Sequence, residues 1–192
     1  MIPYVRRVAS PWLLATSVVA ILASGVQAAP LAVDHAKSEI SFVSRQMGVP
    51  VEGLFRRFVA QIDFDPKKPE SARATLEVEV ASIDAGSPEA NGEVVRKPWF
   101  HATQYPKATF ASTAVRGLGS NRFELTGPIT IKGKTRTVTA PFSFKTSGAT
   151  QVFEGAFVLN RSDFGIGDGP WNDPDTVALD VQVRFKLVAT PK

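Results

Sequence analysis

The chain is predicted to be all-β in the main: an antiparallel barrel of about eight strands with one short helical segment. Three observations predict it. Beyond position 30, apolar residues recur mostly at every second position, the mark of strands with one buried face. Turn-forming stretches such as "RGLGSN" and "IKGK" separate the runs. Only one stretch, "SPEANGEVVRKPWFHATQYP", interrupts them. A meander of this kind can close on itself and so remove its exposed edges.

Taken in order, Ile40 and Phe42 open the first face, in a strand expected over 31–46. Phe58, Ala60, Ile62 and Phe64 mark a second over 53–65. In the third, 72–83, Ala74, Leu76, Val78 and Val80 oppose Thr75, Glu77 and Glu79. Ser87 as N-cap with Pro88 at the first helical position then predicts a short helix or turns up to Lys97, ended by Pro98. A strand over 107–116 carries Phe110, and "RGLGSN" turns the chain into the next, 121–132, with Phe123, Leu125, Ile129 and Ile131 on one face. Gly133 supplies the positive φ of a tight hairpin into 135–146, where Val138, Ala140, Phe142 and Phe144 share a face. A strand over 150–160 follows. The last, 176–188, sets Val177, Leu179, Val181, Val183, Phe185 and Leu187 against Asp180, Gln182, Arg184 and Lys186. Helical spacing would scatter those charges into the apolar side.

The N-terminus carries Arg6 and Arg7, then the uncharged apolar run "WLLATSVVAILASGV", then Val26-Gln27-Ala28 with small residues at the −3 and −1 positions of a peptidase site. This is the pattern of a secretory signal peptide over 1–28, cleaved after Ala28 to leave a periplasmic domain over 29–192. One domain accounts for that length. Loss of Arg6 and Arg7 leaves 20 of the 22 basic residues against 18 acidic ones, a balance without a nucleic-acid footprint. The chain has no cysteine. An exported protein of this kind rests on burial and backbone pairing, not disulfides.

Catalytic chemistry has little to draw on. His35 and His101 are the only histidines, and no Gly-x-Ser-x-Gly elbow precedes either. No enzyme activity and no cofactor are therefore expected. Asp163, Asp168, Asp173 and Asp175 surround the glycines of "NRSDFGIGDGPW", but their spacing matches no Ca²⁺ loop, and no metal site is expected. The same segment is no phosphate cradle. Pro170 stands where a third glycine would be needed, and a strand follows instead of a helix. It is read as the connection between the last two strands, with Gly165, Gly167 and Gly169 allowing the backbone to turn and Arg161 paired with Asp163. Phe164 and Trp171 plug or line one end. Arg45, Arg56, Arg57, Arg96, Lys97 and Arg161 are read singly as solvated surface charges.

An eight-stranded barrel either fills with side chains or holds one small ligand. The inward Phe42, Phe58, Phe64, Phe110, Phe123, Phe142, Phe144 and Phe185 alternate with small residues such as Ala60, Ala74, Ala140 and Ala156, and periodicity alone leaves both outcomes open.

The stretches "VDHAKSEISFVSRQMG", "GLFRRFVAQIDFDPKKPESARATLEVEVASIDAG", "WFHATQYPKATF", "LTGPITIKGKTRTVTAPFSF" and "FVLNRSDFGIGDGPW", in this order, give the chain its resemblance to the YceI family of exported, lipocalin-like polyisoprenoid-binding proteins. The resemblance implies an extended barrel around a long apolar pocket, a carrier or sequestering role for an isoprenoid or other lipid-like chain, and no catalytic residues. Phe42, Phe58, Ile62, Leu76, Val78, Phe110, Leu125, Phe142, Phe144, Phe164 and Trp171 are the residues expected at that ligand. A charge at Phe142 or Phe144 is expected to reduce lipid retention. The family also occurs with cytochrome b561-like membrane domains, so the alternative is an accessory module handling an isoprenoid quinone for such a partner. A homodimer is compatible with either. One departure stands out: Trp99-Phe100-His101 replaces the Trp/Phe-Phe-Asp common in relatives.

Overall fold

The computed structural model describes residues 30–192; the leader over 1–28 and its cleavage site lie outside the described residues. The chain forms one curled antiparallel sheet with a single α-helix among the described residues. Its strands are β1 (Leu31–Val33), β2 (Glu39–Gln46), β3 (Val49–Phe55), β4 (Phe58–Asp63), β5 (Arg73–Glu79) and β6 (Ile83–Asp84). The helix α1 (Pro88–Val94) is followed by β7 (Lys107–Ala111), β8 (Ala114–Gly119), β9 (Arg122–Ile131), β10 (Lys134–Ser147), β11 (Thr150–Asn160) and β12 (Asp180–Pro191). The main path runs β4-β5-β7-β9-β10-β11-β12-β2-β3-β6, with β1 on β12 and β8 on β9.

The sheet thus has twelve strands where about eight were expected, because several long runs bend at identifiable residues. The run 31–46 breaks where Asp34 accepts a hydrogen bond from the Ala36 N–H (3.1 Å) and closes a turn. The run 53–65 starts earlier, after a Met47-Gly48 turn with φ of 48° and 79°, and breaks at Arg56-Arg57. Those two backbone N–H groups turn aside to the Ser82 carbonyl (3.1 Å) and hydroxyl (3.0 Å). The run 107–116 is interrupted where the chain switches neighbours: Ser112 still bonds Ala74 of β5, while the Thr113 N–H already donates to Thr126 of β9. Gly127 permits this crossing, since a Cβ there would lie 2.1 Å from the Ala111 carbonyl oxygen. The last strand begins at Asp180; ahead of it Val177 forms an isolated bridge to Gln46.

Lys132 and Gly133 both have positive φ, 49° and 72°, as a two-residue hairpin requires. In "RGLGSN" the turn is made by Ser120 and Asn121, at φ 51° and 57°, with Gly119 at the end of β8. Ser87 caps α1 by accepting from the Ala90 N–H at 3.2 Å; the helix ends at Val94 and turns carry the chain on through Lys97, as expected.

Two apolar clusters fill the ends of the curl. At one, the rings of Phe64, Phe123, Phe142, Phe144 and Phe153 interlock, with Phe64 at centroid distances of 5.0 Å from Phe144, 5.1 Å from Phe123 and 5.3 Å from Phe153. At the other, Ile131, Leu159, Phe164 and Ile166 pack with Trp99 and Phe100.

The Arg56-Arg57 corner between β3 and β4 is tied to β5 and β6 by charge as well as backbone. Arg57 donates from Nε and Nη2 to the two Glu79 carboxylate oxygens, each at 2.6 Å. Arg56 donates from Nη2 alone to one Asp84 carboxylate oxygen. The Arg57 hydrogen bonds hold the Glu79 carboxyl below its ordinary pKa of 4.5. A depressed folded-state pKa contributes stability that is present above 4.5 and is lost as pH falls through the lower folded value. Glu79→Gln is therefore expected to flatten the acid limb of the unfolding profile below pH 4.5, leaving the neutral plateau displaced by a small constant. Acid titration of both proteins by circular dichroism checks this, and superimposable acid limbs would refute it.

Candidate functional site

Between the two end clusters the curled sheet encloses a cavity of about 520 Å³. It forms because β-strand alternation turns one face of each strand inward while the phenylalanine cluster closes only one end. Its wall is almost wholly apolar. β12 supplies Val181, Val183, Phe185 and Leu187; β9 and β10 supply Leu125, Ile129, Ile131, Val138 and Ala140; β11 adds Phe157 and Leu159. Helix α1 covers the loop end with Ala90, Glu93 and Val94.

The residues expected at the ligand divide into two groups. Phe42, Ile62, Leu76, Val78, Phe110, Leu125 and Trp171 all line this cavity. Phe142 and Phe144 do not. They face the same way as Ala140, but lie further along β10, within the closed ring cluster, so a charge there would strike the packed core and not a ligand wall. Phe58 turns to His35, with ring centroids 5.3 Å apart. Phe164 is 1% exposed and packs behind the wall, with Leu159 and Ile166. Of the small residues, Ala74 and Ala140 line the cavity.

The loop "NRSDFGIGDGPW" proves to be organised by Arg161, which corrects two expectations: it is not a solvated charge, and it is not paired with Asp163. Arg161 is 2% exposed and directs every N–H at a backbone carbonyl. Nε donates to Ala178 (3.1 Å), Nη1 to Ile166 (2.8 Å) and Gly167 (3.0 Å), and Nη2 to Trp171 (2.8 Å) and Val177 (2.7 Å). Burial lowers its pKa, but a guanidinium with five satisfied donors stays charged. The glycine at 167 follows from this: a Cβ there would sit 2.3 Å from Arg161 Nη1. Asp163 is exposed. The Gly167 and Asp168 N–H groups then pin the loop to the Pro98 carbonyl, both at 2.9 Å.

The pinning brings Trp99 against Trp171, ring centroids 5.4 Å apart, at the loop end of the cavity. Besides Thr75 and Arg161, the polar lining consists of Ser44 and Gln46 from β2, and Glu89 and Glu93 from α1. Hydrogen bonds from its own backbone N–H and the Ser87 hydroxyl hold the Glu89 carboxyl below the ordinary range, so it is ionised at neutral pH. Glu93 pairs with Arg96 at 3.2 Å. Sequence reasoning missed Trp99 and the α1 face, although Ala90, Glu93 and Val94 show the i, i+3, i+4 spacing of a covering helix.

His101 lies elsewhere, in an outer cleft with Tyr105, Lys97, Lys132, Lys134 and Asp168. Lys132 is anchored there by donating to the Gly165 and Pro98 carbonyls. Among the described residues, no three His, Cys, Asp or Glu side chains gather as metal ligands. Asp173 caps its own turn, accepting from the Asp175 N–H (3.0 Å) and the Thr176 hydroxyl (2.8 Å).

This architecture is shared. Burkholderia cenocepacia BcnA is 48% identical and superposes with a TM-score of 0.81 over 83% of this chain and all of its own. A polyisoprenoid binding domain from Saccharophagus degradans, 16% identical, shares the fold with a TM-score of 0.66, covering 86% of this chain and all of that one. A UPF0312 protein of Pseudomonas savastanoi pv. phaseolicola is 30% identical over 144 residues, which span 72% of this chain and 73% of the relative. The YceI-like domain model matches residues 31–189. With a curled lipocalin-type sheet, an apolar interior and a match over nearly every described residue, this chain belongs to the YceI-like domain family.

Proposed function

We propose that this protein is a periplasmic carrier that holds a polyisoprenoid or other long apolar chain inside the sheet, and that it binds without catalysis. The observation that carries the reading is the 520 Å³ cavity with its apolar wall. Each ligand CH₂ buried there is worth about 0.8 kcal/mol, so ten supply about 8 kcal/mol. That is the scale of a micromolar Kd before the costs of association are charged against it. The shared fold with a domain described as polyisoprenoid binding supports the same class of ligand. So does the leader read over 1–28, which would deliver the domain to the compartment where such chains meet a membrane surface.

Protein purified from its own host should have Ala29 at its N-terminus and carry an apolar adduct in native mass spectrometry, identified after lipid extraction. Protein that arrives empty and takes up no added isoprenoid would overturn the carrier reading. An isoprenoid quinone as the adduct would favour the accessory role beside a cytochrome b561-like membrane partner.

A further inference from the structure

The outer cleft beside His101 has a volume of about 490 Å³ and shares no lining residue with the apolar cavity. Phe164 separates the two, lining the cleft while it packs with the wall residues Leu159 and Ile166. The cleft is therefore a compartment of its own. Its walls are firmly held. His101 sits in the left-handed region at φ 52°, where a residue other than glycine is uncommon. Its N–H donates to the Arg96 carbonyl (2.9 Å), and its carbonyl accepts from the N–H groups of Gln104 (3.0 Å) and Tyr105 (2.9 Å). The Tyr105 ring lies over Gly133, where a Cβ would stand 2.8 Å from Cε1, and meets the His101 ring edge to face at 5.9 Å.

Three lysines line this cleft against one acidic residue, Asp168, which leaves a surplus of positive charge. Lys132 is spent on the fold: its Nζ donates to the Gly165 and Pro98 carbonyls and stands 3.7 Å from Asp168. Burial lowers its pKa; the Asp168 charge opposes this, and the nearby Lys134 ammonium adds to it. Lys134 Nζ hangs over the loop, 2.9 Å from where a Gly165 Cβ would stand. Among the described residues, neither Lys97 nor Lys134 forms an ion pair, and the Tyr105 hydroxyl and Gln104 amide have no partner in the fold. Unspent cations and neutral donors on ordered walls suit an anion. No arginine lines the cleft among the described residues, so the flat fork that matches a carboxylate is missing. Lysines act as point charges and suit a tetrahedral group with oxygens on several sides. Pro98, Pro170 and the Tyr105 ring offer apolar surface to whatever that group is attached to.

We propose that the outer cleft is a second binding site, for a phosphate ester, held by Lys97 and Lys134 beside His101 and Tyr105 and separate from the apolar cavity. The glycine loop supplies one wall of it and no cradle; the charge comes from the β9–β10 hairpin and the segment after α1. A phosphate ester reaches such a cleft free in solution or presented by a lipid at a membrane surface, with the same chemistry in both cases.

Glycerol 3-phosphate, its carboxylate counterpart glycerate, and vesicles of phosphatidylglycerol or phosphatidylcholine test it, by amide NMR titration for the soluble probes and by sedimentation for the vesicles. Glycerol 3-phosphate should shift the amides over 97–105 and 132–134, bind about tenfold more tightly than glycerate, and weaken as NaCl is raised. The double variant Lys97→Ala, Lys134→Ala changes two exposed side chains and should weaken the phosphate probe at least about tenfold with the unfolding midpoint in place. Asp168→Asn removes the one opposing carboxylate and should tighten it several-fold. Binding of phosphatidylglycerol vesicles over phosphatidylcholine ones, lost in the double variant, assigns the phosphate to a lipid head group; binding of the soluble ester alone assigns it to a free metabolite. Glycerate bound as tightly as the phosphate, unchanged affinity in the double variant, weaker binding in Asp168→Asn, or no binding of either the soluble ester or the vesicles overturns the inference.

Discussion

Arg161→Ala should destabilise the protein by about 4 kcal/mol, among the largest losses any single substitution here can cause. The removed guanidinium leaves the carbonyls of Ile166, Gly167, Trp171, Val177 and Ala178 without their donor, in a place that is closed to water at 2% exposure. Each such bond from a charged donor is worth about 1.5–3 kcal/mol, but the five share one side chain and relax together, so their sum overstates the loss. For a domain of this size the midpoint of thermal unfolding should fall by about 10 °C. Arg161→Lys is the informative intermediate. An ammonium has three donors from one point where the guanidinium has five in a rigid fork, so at least two carbonyls stay unpaired and about half the loss remains. Urea unfolding should show midpoints in the order wild type, Lys, Ala with an unchanged slope. A loss under about 1 kcal/mol for Arg161→Ala would mean that the loop folds without its cation.

The same residue shows where sequence reading stops. Strand faces were legible from period two, and the inward sets on β9, β10 and β12 are those that alternation marks. Alternation reports the face of a residue but not its height along the strand. Val138, Ala140, Phe142 and Phe144 are one face of β10, yet the first two border the cavity and the last two close its end. Height depends on the register between strands and on where each strand bends, and the bends at Asp34, Arg56-Arg57 and Ser112 are made by hydrogen bonds to partners distant in sequence or by local turns that a pattern search passes over. Arg161 was misread for a related reason. A basic residue in a glycine-rich loop is usually solvated. Only the folded loop reveals five carbonyls turned toward one point. Gly167 was read only as a turn glycine, and the folded loop adds a second reason for it: the Arg161 guanidinium occupies the place of a Cβ.

The difference in height predicts that stability and binding separate along a single strand. Ala140→Leu and Ala74→Leu each place three additional carbons into the cavity from positions that line it. If each carbon displaces one ligand methylene from apolar contact, each substitution costs about 2.4 kcal/mol of binding, about 50-fold in Kd, and the double variant should lose retention of a long-chain probe altogether. Ala74→Leu, from a half-buried position, should leave the unfolding midpoint in place, whereas Ala140, only 1% exposed, has packed neighbours that must shift, so Ala140→Leu should lower the midpoint by less than Phe142→Ala does. Two residues further along β10, Phe142→Ala should do the reverse. It opens a hole among Phe64, Phe123 and Phe153 and should cost about 3–5 kcal/mol of stability. The cavity wall is left in place, so ligand affinity in the fraction that remains folded should shift far less than in Ala140→Leu. Thermal unfolding and probe titration on the same three variants decide the matter. Loss of binding in Phe142→Ala with full stability, or loss of stability in Ala140→Leu with full binding, would place the ligand among the phenylalanine rings and reverse the assignment of the two halves of β10.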